Sequence, residues 1–432
     1  MTGGKAHTDR SQQPPTALSR EIGLGVMTLY AIGVMIGGGI YVLIGEVAGL
    51  AGYWTPAAFA IAGLAASLTA ASFAELSARH PEAGGSATYV LHGFNSNALS
   101  LVVGLAVALT GLLSASAVLQ GGVGYLGAFM EAPAFALIFG VGLFLTLLAA
   151  WGAAESLTFA AGLAVIEIIG LLIVIFVAFY FQPGGEAGVG LASQSLPLNS
   201  APVNSAPVNS AQVSSAPAIS AAAMTGAVVL AFFAFIGFED VVNMAEEVRN
   251  PGRTMPLALM IAFIAVTLTY GLVSVAALRT VPPSILQESS RPLALVYEKA
   301  TGGDASFIAL VGVAAALNGV LAQIVMSARM LFSLGRRTPA LSFFGVAHRK
   351  LKTPLRATIF AGVIVIILAV NFRLDGLASA TSLILLAIFV LINIALIRVK
   401  SAEPAAPLRL PRAVPVVGAI LSALMLGGVL LR

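Results

Sequence analysis

The chain has 432 residues, of which 59% are hydrophobic and only 9% are charged, whereas soluble domains carry about 25% charged residues. Apolar runs of about 20 residues suit helical spans and exceed the length of barrel strands, so we predict an all-α integral membrane protein surrounded by the lipid bilayer. The net charge of +4 gives no reason to propose a nucleic-acid partner, and the absence of cysteine excludes disulfides and thiolate chemistry.

Eleven apolar windows predict the membrane-spanning helices. A polar tail, residues 1–20, precedes the first window, which is too long for a signal-peptide core. The windows lie at about residues 22–50, 54–78, 98–130, 133–152, 157–181, 222–245, 255–278, 304–334, 355–371, 374–397 and 414–431.

The orientation follows from the positions of Lys and Arg. If the N-terminus is cytoplasmic, most of the 22 Lys and Arg residues fall in the tail and the cytoplasmic connections. The positive-inside rule therefore predicts a multi-pass protein of the cell membrane with a cytoplasmic N-terminus.

Five regions follow from this arrangement. After the tail, we expect a first half of five spans over residues 21–181 and a second half over 222–397, and then a loop and an eleventh helix over 398–432. Between the halves, residues 182–221 contain the repeat "NSAPV NSAPV NSAQV SSAPA", with no Lys or Arg and repeated Pro. This composition predicts a disordered or extended external loop.

The first and sixth windows contain helix-breaking residues near their middles. The first includes "YAIGVMIGGGIYVLIGEVAG" (30–49) and the sixth "VVLAFFAFIGFEDVVNMAEE" (228–247). In a membrane, a gap in helical hydrogen bonding is tolerated only where it is buried in protein or lines a cavity. Opened helices offer N–H groups to a carboxylate and carbonyls to an ammonium. Breaks at equivalent places in two halves thus predict an inverted-repeat transporter with a midplane site.

Four segments resemble the amino acid, polyamine and organocation permease superfamily, and most closely its cationic amino acid transporter branch with bacterial relatives. They are "IGGGIYVLIGEVAGLAG" (36–52), "AELSARHPEAGGSATYV" (74–90), "FFAFIGFEDVVNMAEEVRNPGRTMPLAL" (232–259) and "SARMLFSLGRRTPAL" (327–341). The resemblance implies a ten-helix core of two inverted repeats, of the LeuT-like type, with discontinuous helices 1 and 6. It also implies alternating access around a central amino acid.

The resemblance also implies main-chain contacts to the substrate. Each contact is carried over to the position of this chain that matches the motif. The substrate carboxylate is expected at the N–H groups of Gly37, Gly38 and Gly39, and the α-ammonium at the carbonyls of Met35, Phe233, Ala234 and Ile236.

The third span departs from the family. Thr110 aligns where relatives often carry Glu, and without that carboxylate a basic substrate side chain lacks a counter-charge in low dielectric. We therefore favour a neutral amino acid, with a cationic amino acid as the alternative.

Five other positions have two interpretations each. Glu239 either faces the pocket or caps the broken sixth helix, and Phe235 and Phe238 either cover the substrate or belong to the core. Glu75 and Arg79 are four residues apart on one helix. We interpret them as a gate or helix-end pair rather than as substrate ligands.

One carboxylic acid, Glu167, lies inside the apolar run "AGLAVIEIIGLLIVIF" (161–176) of the fifth span. An ionised acid at the bilayer centre costs about 3 kcal/mol, and proton-coupled members of the superfamily place a Lys near this position. We predict that Glu167 is a protonation-coupled switch, with a cation ligand or a neutral acid bonded to a neighbouring helix as alternatives. The expected coupling ion is a proton, with sodium as the alternative; no other cofactor and no metal site is expected.

The predicted function is secondary active, proton-coupled uptake of neutral L-amino acids. A cationic amino acid transporter, an exchanger and a non-transporting amino acid sensor are the alternatives. No enzyme is expected, because the four His residues lie in the tail or in connections and form no catalytic or metal-binding motif. The oligomeric state is left open.

Overall fold

The computed structural model describes residues 22–80, 85–151, 153–181, 219–242, 244, 248–348, 351, 353–404 and 406–430, with only the backbone described for 153–161 and 430. The predicted tail and nearly all of the predicted repeat loop lie outside the described residues.

The described chain consists of helices, apart from an isolated bridge between Ile22 and Val248. Short 3-10 turns occur at Gly52–Trp54 and Pro339–Leu341. The helices are α1 (Leu24–Ala51), α2 (Thr55–Arg79), α3 (Gly85–Phe94), α4 (Asn97–Leu126), α5 (Ala134–Trp151), α6 (Ala153–Tyr180), α7 (Ala221–Phe233), α8 (Phe238–Val241), α9 (Pro251–Thr280), α10 (Pro283–Glu288), α11 (Pro292–Thr301), α12 (Ser306–Arg337), α13 (Leu355–Asn371), α14 (Leu374–Ala402) and α15 (Ala413–Leu430).

The helices match the eleven predicted windows. Each window contains one long helix, except the sixth, which contains α7 and α8 in succession. Among the residues that the structure describes, eight stretches are long and apolar enough to cross a membrane, one of them covering both α1 and α2, and α13 and α15 are shorter apolar helices. This confirms the predicted all-α membrane fold. The windows did not include α3, α10 and α11, which have ten residues or fewer.

The broken spans lie at the centre of the bundle. The middle of α1 is buried on all sides from Met35 to Gly45. A Cβ added at Gly39 would lie 3.1 Å from the Cα of Ala234, and one added at Gly38 would lie 3.3 Å from the Cα of Ala316. Glycine therefore lets α1 approach both the sixth span and α12 at backbone distance.

The two ends of the bundle differ in charge. At one end Lys400 of α14 pairs with Glu75 of α2, and Arg79 bonds to the carbonyl of Glu403. We call this the basic end because the helix ends there carry Arg79, Arg253, Arg336, Arg337, Arg356, Arg398 and Lys400. At the opposite end α10 packs on the second half of α1, where Gly45 and Gly49 make room for Leu286 and Gln287.

Candidate functional site

The break in the first span is at Gly37. Its backbone angles are φ 21° and ψ −170°, and this is the non-helical position inside α1. Residues with a Cβ rarely adopt this conformation. Gly38 and Gly39 follow the break and start the second half of α1.

The break in the sixth span covers residues 234–237. The α7 helix ends at Phe233, three tighter bonds follow from the N–H groups of residues 234–236, and Gly237 has φ 124° before α8 begins. The carbonyl of Phe233 accepts the N–H of Ile236 at 3.1 Å. Both predicted breaks are therefore present, and they face each other across the contact between Gly39 and Ala234.

Tyr270 of α9 links the two breaks. Its hydroxyl lies 2.8 Å from the carbonyl oxygen of Met35 and 2.9 Å from that of Ala234. A hydroxyl has one proton, so it donates to one carbonyl at a time. The two carbonyls are among those at which the family resemblance implies the substrate ammonium. Tyr270 itself was missed, because an isolated Tyr in an apolar window carries no local signal.

Glu167 of α6 is fully buried inside the protein. Its Oε1 accepts a hydrogen bond of 2.8 Å from Nδ2 of Asn318 on α12, and its Oε2 has no hydrogen-bond partner in the described part of the chain. The Tyr41 hydroxyl of α1 donates to the Glu167 backbone carbonyl at 2.6 Å. Glu167 thus lies where α1, α6 and α12 meet. Asn318 was not anticipated, since it is 151 positions away.

A cavity of about 280 Å³ reaches the break in α1. The first half of α1, α6 and the second half of α12 line it, so it lies between Gly37 and the basic end. Its walls are mostly apolar, and the described lining residues include no carboxylate; their polar side chains are Tyr30, Asn318 and Arg329. Because α10 covers the second half of α1, the break is approached from the basic end.

Glu239 is positioned by the second break. Its Oε2 accepts the N–H of Gly237 at 2.9 Å, and the residue is buried. The bond lies at the start of α8, and Glu239 does not line the cavity at Gly37. The neighbouring Asp240 accepts a bond of 3.2 Å from Gln323 of α12.

The other predicted pocket residues lie in packed surroundings. Phe235 packs against Tyr270, and Phe238 packs against Phe73, with ring centroids 5.1 and 5.6 Å apart. The Thr110 hydroxyl donates to the carbonyl of Val107 in its own helix at 2.8 Å. None of these three predicted residues lines the cavity at the α1 break. Their geometry is that of core residues.

Glu75 and Arg79 form the predicted pair, and the structure adds further partners. Arg79 Nη2 lies 2.6 Å from Glu75 Oε1, and Lys400 Nζ lies 2.6 Å from Oε2. The N–H of Leu410 also donates to Oε2, at 3.0 Å. Glu75 therefore joins α2 to α14 and to the segment before α15. It lies far along the chain from Lys400, so sequence spacing gave no sign of this contact.

By sequence, the chain is similar to several transporters. The branched-chain amino acid permease BcaP of Bacillus subtilis is 28% identical over 90% of this chain and 83% of its own length. The methylthioribose transporter of the same organism is 29% identical over 94% and 87%. The mitochondrial cationic amino acid transporter 3 of Arabidopsis thaliana is 27% identical over 95% of this chain, which spans 66% of that protein.

The family comparison covers almost the whole chain. Residues 23–431 match the model described as amino acid permease, which includes both broken spans and every helix at the site. The relatives are named as permeases or transporters, so the predicted superfamily and the exclusion of an enzyme are both confirmed. The chain belongs to the amino acid permease family of multi-pass membrane transporters.

Proposed function

We propose that this permease takes up neutral L-amino acids by alternating access, with the basic end in the cytoplasm of a cell-membrane protein and a proton as the coupling ion. The observation that carries the proposal is the cavity from the basic end to Gly37. Next to Gly37, the N–H groups of Gly38 and Gly39 begin the second half of α1 and would suit the substrate carboxylate. The carbonyls around the Tyr270 hydroxyl suit the ammonium group, once that hydroxyl turns away from one of them.

The charge of the cavity supports a neutral side chain. A cationic side chain would enter a mostly apolar space whose described lining has Arg329 but no carboxylate. An uncompensated charge in such a space loses more in desolvation than it regains. Thr110, which stands where relatives often carry Glu, bonds to its own helix and supplies no charge.

A cationic substrate is the second candidate. Two relatives of different kinds are named for branched-chain and for cationic amino acids, and Glu239 and Asp240 are buried next to the second break. Both acids already have partners in the Gly237 N–H and in Gln323. A cationic substrate would have to replace one of these bonds.

Glu167 is our candidate for coupling. It has one hydrogen-bonded oxygen and one oxygen without a partner in the described chain, and its partner Asn318 lines the cavity. A proton that enters along the cavity would thus reach the carboxyl group of Glu167. This group lies next to α12, the helix that packs against α1 at Gly38. Loss or gain of that proton changes the charge between α6 and α12, which is the kind of change that biases two helix arrangements.

Uptake into proteoliposomes tests the substrate and the ion together. With an inward pH gradient, we expect accumulation of labelled leucine, valine or alanine. Labelled arginine and lysine should enter at about a tenth of that rate or less, because an unpaired charge costs more than the 1.4 kcal/mol that corresponds to tenfold. Faster arginine uptake contradicts the neutral substrate, and uptake that needs sodium but no pH gradient contradicts the proton.

The same vesicles separate the other functions. Counterflow without net accumulation would identify an exchanger. Stabilisation of the protein by an amino acid, with neither counterflow nor uptake, would identify a sensor.

Glu167→Gln tests the coupling residue. The variant keeps the bond from Asn318 but cannot ionise, so we expect counterflow of the neutral substrate to continue while uptake loses its dependence on the pH gradient. Glu46→Gln, a partly buried acid of α1 outside the cavity lining, is the matched control and should retain the dependence. An unchanged pH slope in Glu167→Gln rules out our assignment.

A further inference from the structure

A second cavity of about 570 Å³ lies on the side of the bundle, between α2, α9 and residues 407–410 before α15. It shares no lining residue with the cavity at Gly37. Its walls are mainly apolar, with Ala71 and Ala74 on one side, Phe263 at the back and Leu410 at the basic end. Met260 and Ile264 form its outer edge and are 54% and 57% exposed. In a membrane-spanning helix such exposed apolar side chains face lipid, so this cavity opens towards the hydrocarbon.

The length of the cavity matches one leaflet. Along α9 it extends from Arg253 to Ile264, which at 1.5 Å per residue is about 16 Å. Half of the hydrocarbon core is about 15 Å thick. A molecule that fills the cavity therefore extends from the membrane surface to near the midplane, as an acyl chain does.

The positive charge at the basic end of this cavity favours an anionic ligand. Arg253 lines the cavity in the first turn of α9, is exposed, and has no ion pair within the described part of the chain. Arg409, beside the lining residues Leu408 and Leu410, is exposed as well, and the described lining contains no acid. Basic pockets between helices at the cytoplasmic surface bind anionic headgroups.

We propose that this cavity binds an anionic phospholipid of the leaflet at the basic end, with one acyl chain between α2 and α9 and its phosphate against Arg253. The occupant contacts two parts of the transport machinery. Phe263 packs against Phe238 and stacks with Phe235 at the second break, with centroids 5.1 and 6.3 Å apart. Leu410 donates its N–H to Glu75. A bound lipid thereby restrains both the sixth span and the segment that Glu75 holds.

Lipid retention by the purified full chain tests the site without any need for transport. In native mass spectrometry with phosphatidylglycerol and phosphatidylcholine of identical acyl chains, we expect the wild type to retain phosphatidylglycerol in preference. Arg253→Gln should lower that retention about fivefold, the effect of one Arg near an anionic surface. Ala71→Phe, which fills the cavity from α2, should lower retention of both lipids.

Arg412→Gln is the matched control, because Arg412 is exposed at the same end but does not line the cavity; it should retain phosphatidylglycerol as the wild type does. Equal losses in the Arg253 and Arg412 variants indicate diffuse attraction and overturn the proposal. Equal retention of the two lipids by the wild type, or retention of oleate but not of phosphatidylglycerol, also overturns it. A sharp thermal transition for each variant shows that lost retention does not come from misfolding.

Discussion

Single side chains hold the two broken spans in place, and Tyr270 is the most direct case. Its hydroxyl is buried between the carbonyls of Met35 and Ala234, and its ring packs edge to face on Phe59 and Phe235. The ring fixes the position and the hydroxyl makes the polar link. Removal of the hydroxyl alone separates these two contributions.

Tyr270→Phe should lower stability by about 1 to 3 kcal/mol, because buried carbonyls lose their donor. It should also change the KM for the neutral substrate, because the same carbonyls are proposed to receive the ammonium group. Tyr125→Phe is the control: its buried hydroxyl bonds to the Tyr41 carbonyl and to neither of the carbonyls that Tyr270 joins. We expect it to lower the thermal midpoint similarly while KM stays constant. Equal KM values for the two variants would remove Tyr270 from the substrate site.

The sequence could predict main-chain features of the site but not these side-chain partners. Glycine marks the breaks because its conformational freedom is a local property, and Gly37 and Gly237 both have positive φ. The bonds of Tyr270, Asn318 and Lys400 join residues of different spans, over 36 positions or more. Such contacts depend on packing, which no local pattern encodes. Thr110 is the opposite case. It aligns with a family position where relatives often carry Glu, but it does not line the cavity.

At the scale of elements, hydropathy found every long helix because each must match the thickness of the bilayer. The three short helices α3, α10 and α11 do not have to match the thickness of the bilayer. They lie in connections between spans and have ten residues or fewer, so a window of membrane length averages them away. The function of α10 as a cover for α1 therefore had no sequence signal except the small residues Gly45 and Gly49 beneath it.

The break in α1 can be tested by comparing two glycines. An added Cβ meets no atom within 4 Å at either Gly37 or Gly140, but only Gly37 has a positive φ. Gly37→Ala should therefore destabilise the protein by about 1 to 2 kcal/mol through backbone strain alone and should weaken substrate binding. Gly140→Ala, within α5, should be neutral or raise stability by up to about 1 kcal/mol. Chemical unfolding and substrate-induced thermal shift measure the two effects, and equal behaviour of the two variants contradicts a required break.

At the scale of the whole molecule, Glu75 connects the helical core to the C-terminal part of the chain. One buried carboxylate receives Arg79, Lys400 and the N–H of Leu410. Glu75→Gln leaves two buried cations without their counter-charge, so we expect a loss of about 3 to 5 kcal/mol. Adding Lys400→Met should restore part of it.

The exposed pair of Arg373 and Asp375 is the matched control. Asp375→Asn should change stability by less than about 1 kcal/mol, as expected for a surface pair. Thermal unfolding in one detergent compares all four proteins. If Glu75→Gln is as mild as Asp375→Asn, the cluster does not secure the C-terminal segment.

Alternating access requires that the whole molecule close the cavity at the basic end when substrate binds and the carrier turns over. The chain has no cysteine, so one added thiol reports accessibility without interference. Ala322→Cys places it in the wall of the cavity, where a maleimide that cannot cross membranes should react from the basic side. Saturating neutral amino acid should slow this reaction, because the substrate fills the site or shifts the population to the closed form. Ala402→Cys, exposed at the end of α14, should react at a constant rate. If substrate stabilises the protein yet leaves the Ala322→Cys rate unchanged, the bound amino acid lies elsewhere than at the end of this cavity.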